Sequence, residues 1–205
     1  MTHGTAHPRT CASASLRIAA TAAAIVVAVT GCAHSPPTRY VTLNAAPGAA
    51  PLATVQIQPV QLTAVHIPAE LDRLEVVTQP SPNRLAIDGT DRWGAPLAQM
   101  MRRTLAQDLM TRLPPGAFIV PDAPAPPDTR TLVVTVLDSQ ADASGTLTLQ
   151  AAWTLLAGHP AHAVLTQQAT LTSAMSARDA PAQAAALSRI LGQLADQIAT
   201  RIVGR

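Results

Sequence analysis

Cys11 and Cys32 are the two thiols of this 205-residue chain, and Cys32 is the one placed to do chemistry. It follows Val29, Thr30 and Gly31 at the end of a short apolar run, residues 18–29. Small residues at 30 and 31 let a peptidase bring extended backbone close to its catalytic groups. The thiol at the next position can form a thioether with a diacylglycerol. The remaining candidate groups are weaker. Glu70, Asp72 and Glu75 crowd around Arg73. Paired carboxylates can share acid–base work, but an arginine among them points to a solvated loop. His159 and His162 stand three apart in "HPAH", with no acid or thiol close by in sequence, which reads as an exposed turn and not a metal site. His66 ends an expected strand, and Asp88 and Asp91 flank Gly89 and Thr90 in ordinary turn chemistry. The chain contains no Gly-x-Ser-x-Gly, P-loop or Gly-x-Gly-x-x-Gly string. No catalytic residue and no metal ligand is assigned, and an enzyme using Asp72 or His66 is the minor alternative.

The segment before Cys32 explains its position. Residues 1–17 carry Arg9 and Arg17 and no acid. A charged start, a short apolar stretch and small residues at its end make a secretory signal. The apolar run falls short of the roughly 20 residues that a membrane span needs. Val29, Thr30, Gly31 and Cys32 together resemble a bacterial lipobox. Residues 1–31 are therefore expected to be a lipoprotein signal peptide cleaved between Gly31 and Cys32. Cys32 then becomes the first residue and carries N-acyl and S-diacylglycerol lipid of the palmitate type, with no other cofactor. Each buried CH₂ of those chains contributes about 0.8 kcal/mol to anchoring. Ala33, not aspartate, follows the cysteine, which resembles an outer-membrane address facing the periplasm.

Cleavage also changes the charge. The whole chain carries +2, but Arg9 and Arg17 leave with the signal and all twelve acids stay. The mature chain has twelve arginines, no lysine and a net charge of zero. A nucleic-acid binder needs a clustered basic face, so that class is set aside. Cys11 leaves as well, which removes cysteine catalysis and cysteine-based zinc sites.

The elements that must position the remaining groups follow from periodicity. Hydrophobic residues make up 48% of the chain and aromatics only 2%, so the core must be aliphatic. Residues 32–51 read as the acylated N-terminus and a flexible tether rich in Ala, Pro and Gly, with a short strand at 39–43. A single domain is expected over 52–205. Residues 54–62 alternate as a strand that Pro59 bends. Residues 74–78 and 84–87 form a hairpin around "QPSPN". Leu97, Met101, Leu105, Leu109 and Leu113, joined by Met100, predict an amphipathic helix, with Arg102, Arg103, Gln107, Asp108 and Arg112 on its wet side. Pro96 suits its first turn, and Pro114 and Pro115 stop it. A short strand is expected at 118–120. Residues 131–137, 146–155 and 163–172 predict an antiparallel meander, the second strand burying Leu147, Leu149, Ala151, Trp153 and Leu155. Leu187, Ile190, Leu191, Leu194, Ile198 and Ile202 predict a final helix that Ser176 or Asp179 caps. The fold class is α+β: a mainly antiparallel or mixed sheet with two amphipathic helices packed on one face.

Trp93 has two readings, an interface anchor or a staple between helix and sheet, and the staple is the default. Its surroundings carry a resemblance. "SPPTRYVTL", "VQIQPVQL", "IPAELDRLEVVT" and "DRWGAPLAQMMRRTLAQDL" follow the lipobox in order, and "TLTLQAAWTLL" comes later. In this series the chain resembles the ABC-type transport auxiliary lipoproteins, the PqiC-like family, over most of its mature length. Glu70 stands where that family often has tyrosine, and Gly94 and Ala95 replace Ala-Glu. The resemblance implies a non-enzymatic lipoprotein on the outer membrane, an accessory subunit of an ABC lipid transport system that contains a mammalian-cell-entry (MCE) domain protein. It also implies phospholipid or similar cargo, a homo-oligomeric ring, a role in membrane integrity, and partner contacts through Leu71, Asp72, Arg73, Arg92 and Trp93. The alternative is a lipoprotein that activates or scaffolds another envelope machine, such as cell-wall synthesis.

Overall fold

The structure, a computed structural model, describes Met1 and residues 36–48, 56–81, 83–142 and 144–204. Residues 2–35, which hold most of the expected signal peptide with Gly31 and Cys32, lie outside the described residues, as do Thr54 and Val55 of the expected strand at 54–62. The compact body is Thr38–Arg205.

Among the described residues, eight strands and two helices follow one another in this body. β1 is Arg39–Val41, β2 Val60–His66, β3 Glu75–Ser81 and β4 Arg84–Trp93. Helix α1, Leu97–Arg112, is followed by β5, Phe118–Ile119. The meander is β6 Arg130–Ala141, β7 Thr146–Ala157 and β8 His162–Ala174, and helix α2, Ala180–Val203, closes the chain. Two sheets result, with strand orders β1-β4-β3 and β5-β2-β6-β7-β8. β1–β4, β2–β5 and β2–β6 pair parallel, and the remaining pairs are antiparallel. The expected α+β class with a mixed sheet is therefore what the chain adopts. α1 and α2 pack on each other, α1 against β2 and α2 against β7 and β8.

Local chemistry accounts for most boundaries. In β7 the odd residues Leu147, Leu149, Ala151, Trp153 and Leu155 are all buried, as the period of two requires. α2 starts at Asp179, whose carboxylate accepts the Ala182 N–H at 2.8 Å, with Pro181 in the first turn. Of the two expected caps, Asp179 is the one used. Alanines 180, 182, 184 and 186 in its first turns are all buried. The turn at Gly145 has φ +85°, a left-handed backbone that glycine adopts without a Cβ penalty.

Four expectations change. β2 begins at Val60, after Pro59, because residues 56–59 do not join the ladder; instead the Pro59 carbonyl accepts the Arg130 N–H at 2.8 Å. β6 runs on to Ala141, past a register shift between Val136 and Asp138 that leaves Leu137 half exposed. β4 extends to Trp93, and its residues Asp88 to Asp91 form an irregularity in which two steps on β3 oppose five on β4. Residues 38–48 belong to the body and not to a free tether: β1 pairs with β4, and the following segment lies along the helices.

That segment accounts for a further correction. Asp108 and Arg112, expected on the wet side of α1, are buried at 0% and 3% exposure. The Arg112 guanidinium donates to Asp196 of α2 at 2.5 Å, to the Asp108 carboxylate at 3.2 Å and to the Ala46 carbonyl at 3.4 Å. Asp108 in turn accepts the Ala46 N–H at 2.9 Å, and Asn44 donates its N–H to Ser188 at 3.2 Å. Residues 42–48 thus form a strap held across both helices by one ion-pair network. Gly192 of α2 lets it pass, since a Cβ there would lie 2.7 Å from the Ala46 side chain. Burial raises the Asp108 pKa, while the Ala46 N–H and Arg112 work the other way.

Candidate functional site

Two of the strings that carry the resemblance, "IPAELDRLEVVT" and "DRWGAPLAQMMRRTLAQDL", meet in space. Pro68 opens a turn in which its carbonyl accepts the N–H groups of Leu71 and Asp72 at 3.0 and 3.2 Å. Leu71 packs on the core, and Asp72, Arg73 and Leu74 are exposed. The chain then enters β3, where Glu75 stands in register with Arg92 of β4, and Tyr40 of β1 is the partner of Arg92 on the other side. Registered residues share a sheet face, so Tyr40, Arg92 and Glu75 form one outward row.

The charges in this row are coupled through Glu75. Arg73 donates Nε–H to Glu75 Oε2 at 3.2 Å, and Arg92 Nη2 lies 4.0 Å from Oε1. The Glu75 pKa is lowered, first by its own backbone N–H, then by Arg73 and Arg92. Arg73 and Arg92 share Glu75, and the exposed Asp72 beside them makes the flank a mixed-charge surface with two guanidiniums at its edge. Salt screens such exposed pairs, so they add little to stability.

Asp72 has a role that sequence alone missed. α1 starts at Pro96 without a side-chain cap of its own. Asp72 accepts the Ala98 N–H at 3.2 Å, capping α1 from a distant loop and placing a negative charge at the positive helix end. Asp72→Ala is expected to lower stability by about 1 kcal/mol, and Asp72→Asn to retain most of the cap; urea titration of both variants checks this.

Trp93 is 2% exposed and belongs to the same core cluster as Leu97 and Met100. Its backbone N–H donates to Leu74 O at 2.6 Å, and it pairs with Val41. It is the staple, and only its backbone neighbours reach the surface row. Asp91, read as a turn residue, is buried at 3% and receives a two-pronged bond from Arg39 at 2.7 and 3.0 Å. Asp88 does make the expected turn, accepting the N–H groups of Thr90 and Asp91 at 2.8 and 2.7 Å. His159 and His162 are exposed at the β7–β8 turn, and His66 is exposed at the end of β2. Among the described residues no group of three His, Cys, Asp or Glu could hold a metal. No helix among them is long and apolar enough to cross a membrane.

The family model of the ABC-type transport auxiliary lipoprotein component matches residues 41–199. The chain belongs to this family. The match runs from the last residue of β1 to the last turns of α2, and so includes the strap, Leu71 to Glu75, Arg92 and the staple. A search of curated proteins by sequence returns no match. Solved structures agree on the fold of this auxiliary lipoprotein component. One, a crystal structure of an uncharacterized protein, superposes with a TM-score of 0.67 at 22% identity, covering 82% of this chain and 99% of its own. Protein XCC0632 from Xanthomonas campestris gives 0.60 at 21% identity, covering 83% and 95%.

Proposed function

We propose that this auxiliary lipoprotein component is held by acyl chains at Cys32 on the periplasmic side of the outer membrane and serves an ABC-type lipid transporter by docking with its MCE-domain protein. The observation that carries this reading is the family match over residues 41–199, in a chain whose Cys32 directly follows a signal-like apolar segment. Docking is assigned to the flank formed by Leu71, Asp72, Arg73, Glu75 and Arg92, with the buried Trp93 anchoring β4 from the core. The chemistry is recognition: two guanidiniums, Arg73 on the loop before β3 and Arg92 on β4, meet carboxylates of the partner, while phospholipid passes through the partner assembly. A ring of several copies is part of the same reading.

Purification of the full-length protein from cross-linked membranes is expected to recover the MCE-domain protein. An Arg73→Glu, Arg92→Glu double variant should lose about tenfold or more of that recovery, because reversed charges repel what the originals attracted. Cys32→Ala is expected to leave an unprocessed precursor without acyl label. Recovery of a wall-synthesis protein in place of the MCE protein would overturn the assignment.

A further inference from the structure

β8 is one edge of the five-stranded sheet, and it lacks what normally closes an edge. Proline, charge and short length keep foreign strands off. β8 has 13 residues, with no proline and no Asp, Glu, Lys or Arg. Its pairing with β7 is regular from Leu165 to Ala174. The other edges are blunted: β1 has three residues, β5 has two with Pro121 close behind, and β3 carries Glu75 and Pro80.

Just past the strand, Met175 donates its N–H to the Gly145 carbonyl of the β6–β7 turn at 2.7 Å. Backbone groups alternate in direction along an antiparallel strand, so odd residues of β8 from Leu165 on face β7 and even ones face outward. α2 meets the last outward carbonyls: Gln193 donates to Thr172 at 3.5 Å and Arg189 to Ala174 at 2.5 Å. Thr166, Gln168 and Thr170 stay open. Among the described residues their N–H groups have no partner, and of their carbonyls only that of Thr166 accepts, from the Gln167 side chain at 2.9 Å. All three residues are exposed. Beside them lies a cleft of about 470 Å³ lined by Trp153, Gln167, Gln168, Asp196, Thr200 and Arg201. Asp196 is held by Arg112, whereas the exposed Arg201 makes no ion pair among the described residues.

We propose that this open edge receives one extended segment of a partner protein as an added strand, with a carboxylate of that segment seated against Arg201. Three outward residues, each with a donor and an acceptor, offer about six main-chain hydrogen bonds, and only extended backbone matches their two-residue spacing. The cleft takes the side chains of the segment that point to the helix side. The occupant is a lone segment and not a second copy. An antiparallel β8–β8 pair would place both α2 helices on one side of the joint sheet. Strands pair about 5 Å apart, whereas helices need about 8–10 Å between axes. α2 already lies against β8 and reaches past it with Arg189 and Gln193, so the helices collide before the strands meet. Glu75 and Arg92 of the docking flank belong to the smaller sheet, and the inference depends on neither the lipid anchor nor the MCE partner.

The test uses the full-length protein in the membranes of the cell that makes it. Gln168 and Thr170 are replaced one at a time by a photo-crosslinking phenylalanine analogue, and the joined residues are mapped by mass spectrometry. Both positions are expected to join one segment of one protein, at sites about two residues apart as a ladder requires, and that segment carries Asp or Glu. Gln168→Pro removes an outward donor and leaves the ladder to β7 intact. It should keep the parent's urea midpoint and lower the crosslink from position 170 about fivefold or more, whereas Gln167→Pro, which removes a donor to β7, should lower the midpoint. Arg201→Glu should weaken the crosslink by a similar factor at unchanged stability. Crosslinks that scatter over several proteins, or that are absent at both positions, overturn the proposal. Crosslinks to peptides of this same chain mean that a second copy covers the edge, and also overturn it. A crosslink that Gln168→Pro and Arg201→Glu both leave unchanged does so as well.

Discussion

Arg112→Ala is expected to destabilise the body by about 3–5 kcal/mol, the usual cost of leaving one member of a buried ion pair without its partner. Arg112 is 3% exposed and joins Asp108 of its own helix, Asp196 of α2 and the backbone of the strap at Ala46. Without it, the Asp108 carboxylate stays at 0% exposure with a single N–H bond from Ala46, and its Oδ2 has no partner among the described residues. For a body of this size the loss corresponds to a fall in Tm of about 10 °C or more. The pH dependence has a definite sign. Burial already raises the folded pKa of Asp108 above its ordinary value, and removing the guanidinium raises it further. A raised carboxylate pKa means that the folded state holds the proton more tightly than the unfolded one. The associated stability is present below the unfolded pKa and lost as pH rises through the folded one. The variant's deficit is therefore largest at neutral pH and shrinks on acidification into the carboxylate range. Urea titrations of both proteins across that range check this. A deficit that is constant with pH would show that Arg112 acts through packing alone. Arg112→Met separates the two contributions: it keeps much of the aliphatic stem and loses the charge, so its neutral-pH deficit should resemble that of alanine.

Trp93→Ala is expected to cost about 3–5 kcal/mol, the range for truncating a buried aromatic. The residue sits where β1, β4 and the approach to α1 converge: Val41 is its ladder partner, and Leu97 and Met100 share its core cluster. Its loss should open β1 and the strap before the meander, visible as faster amide exchange around Val41 than around Val134. Trp93→Phe, which leaves less of a void, should cost clearly less. Partner recovery per folded molecule is expected to hold for Trp93→Ala, since its side chain does not reach the flank. Loss of partner recovery at unchanged stability would instead make Trp93 a contact residue.

Much of the architecture is legible along the chain because it is local. The i+4 stripe from Leu97 to Leu109, the alternation of β7 and the Asp179, Pro181 start of α2 each depend on residues within a turn or two, and each recurs in the structure. The family pieces are legible for the same reason, as contiguous strings. Their meeting point is not: Glu75 faces Arg92 only through the β3–β4 register. Asp72 reaches Ala98 only because the loop after β2 folds back over the start of α1.

Cys32 with its preceding small residues, the charge balance of residues 32–205, the two helix stripes and the antiparallel meander are set by sequence alone, because periodicity, charge and motif order are properties of neighbouring residues. Tertiary structure decided which polar residues are inside. Asp108 and Arg112 flank the apolar stripe of α1 and read as solvated until α2 and the strap cover them. It also decided the parallel pairing of β2 with β6 and the early start of the body at Thr38. Helix coverage, strand partners and strap docking are contacts between segments tens of residues apart, and the pattern within one segment carries no record of what will lie against it.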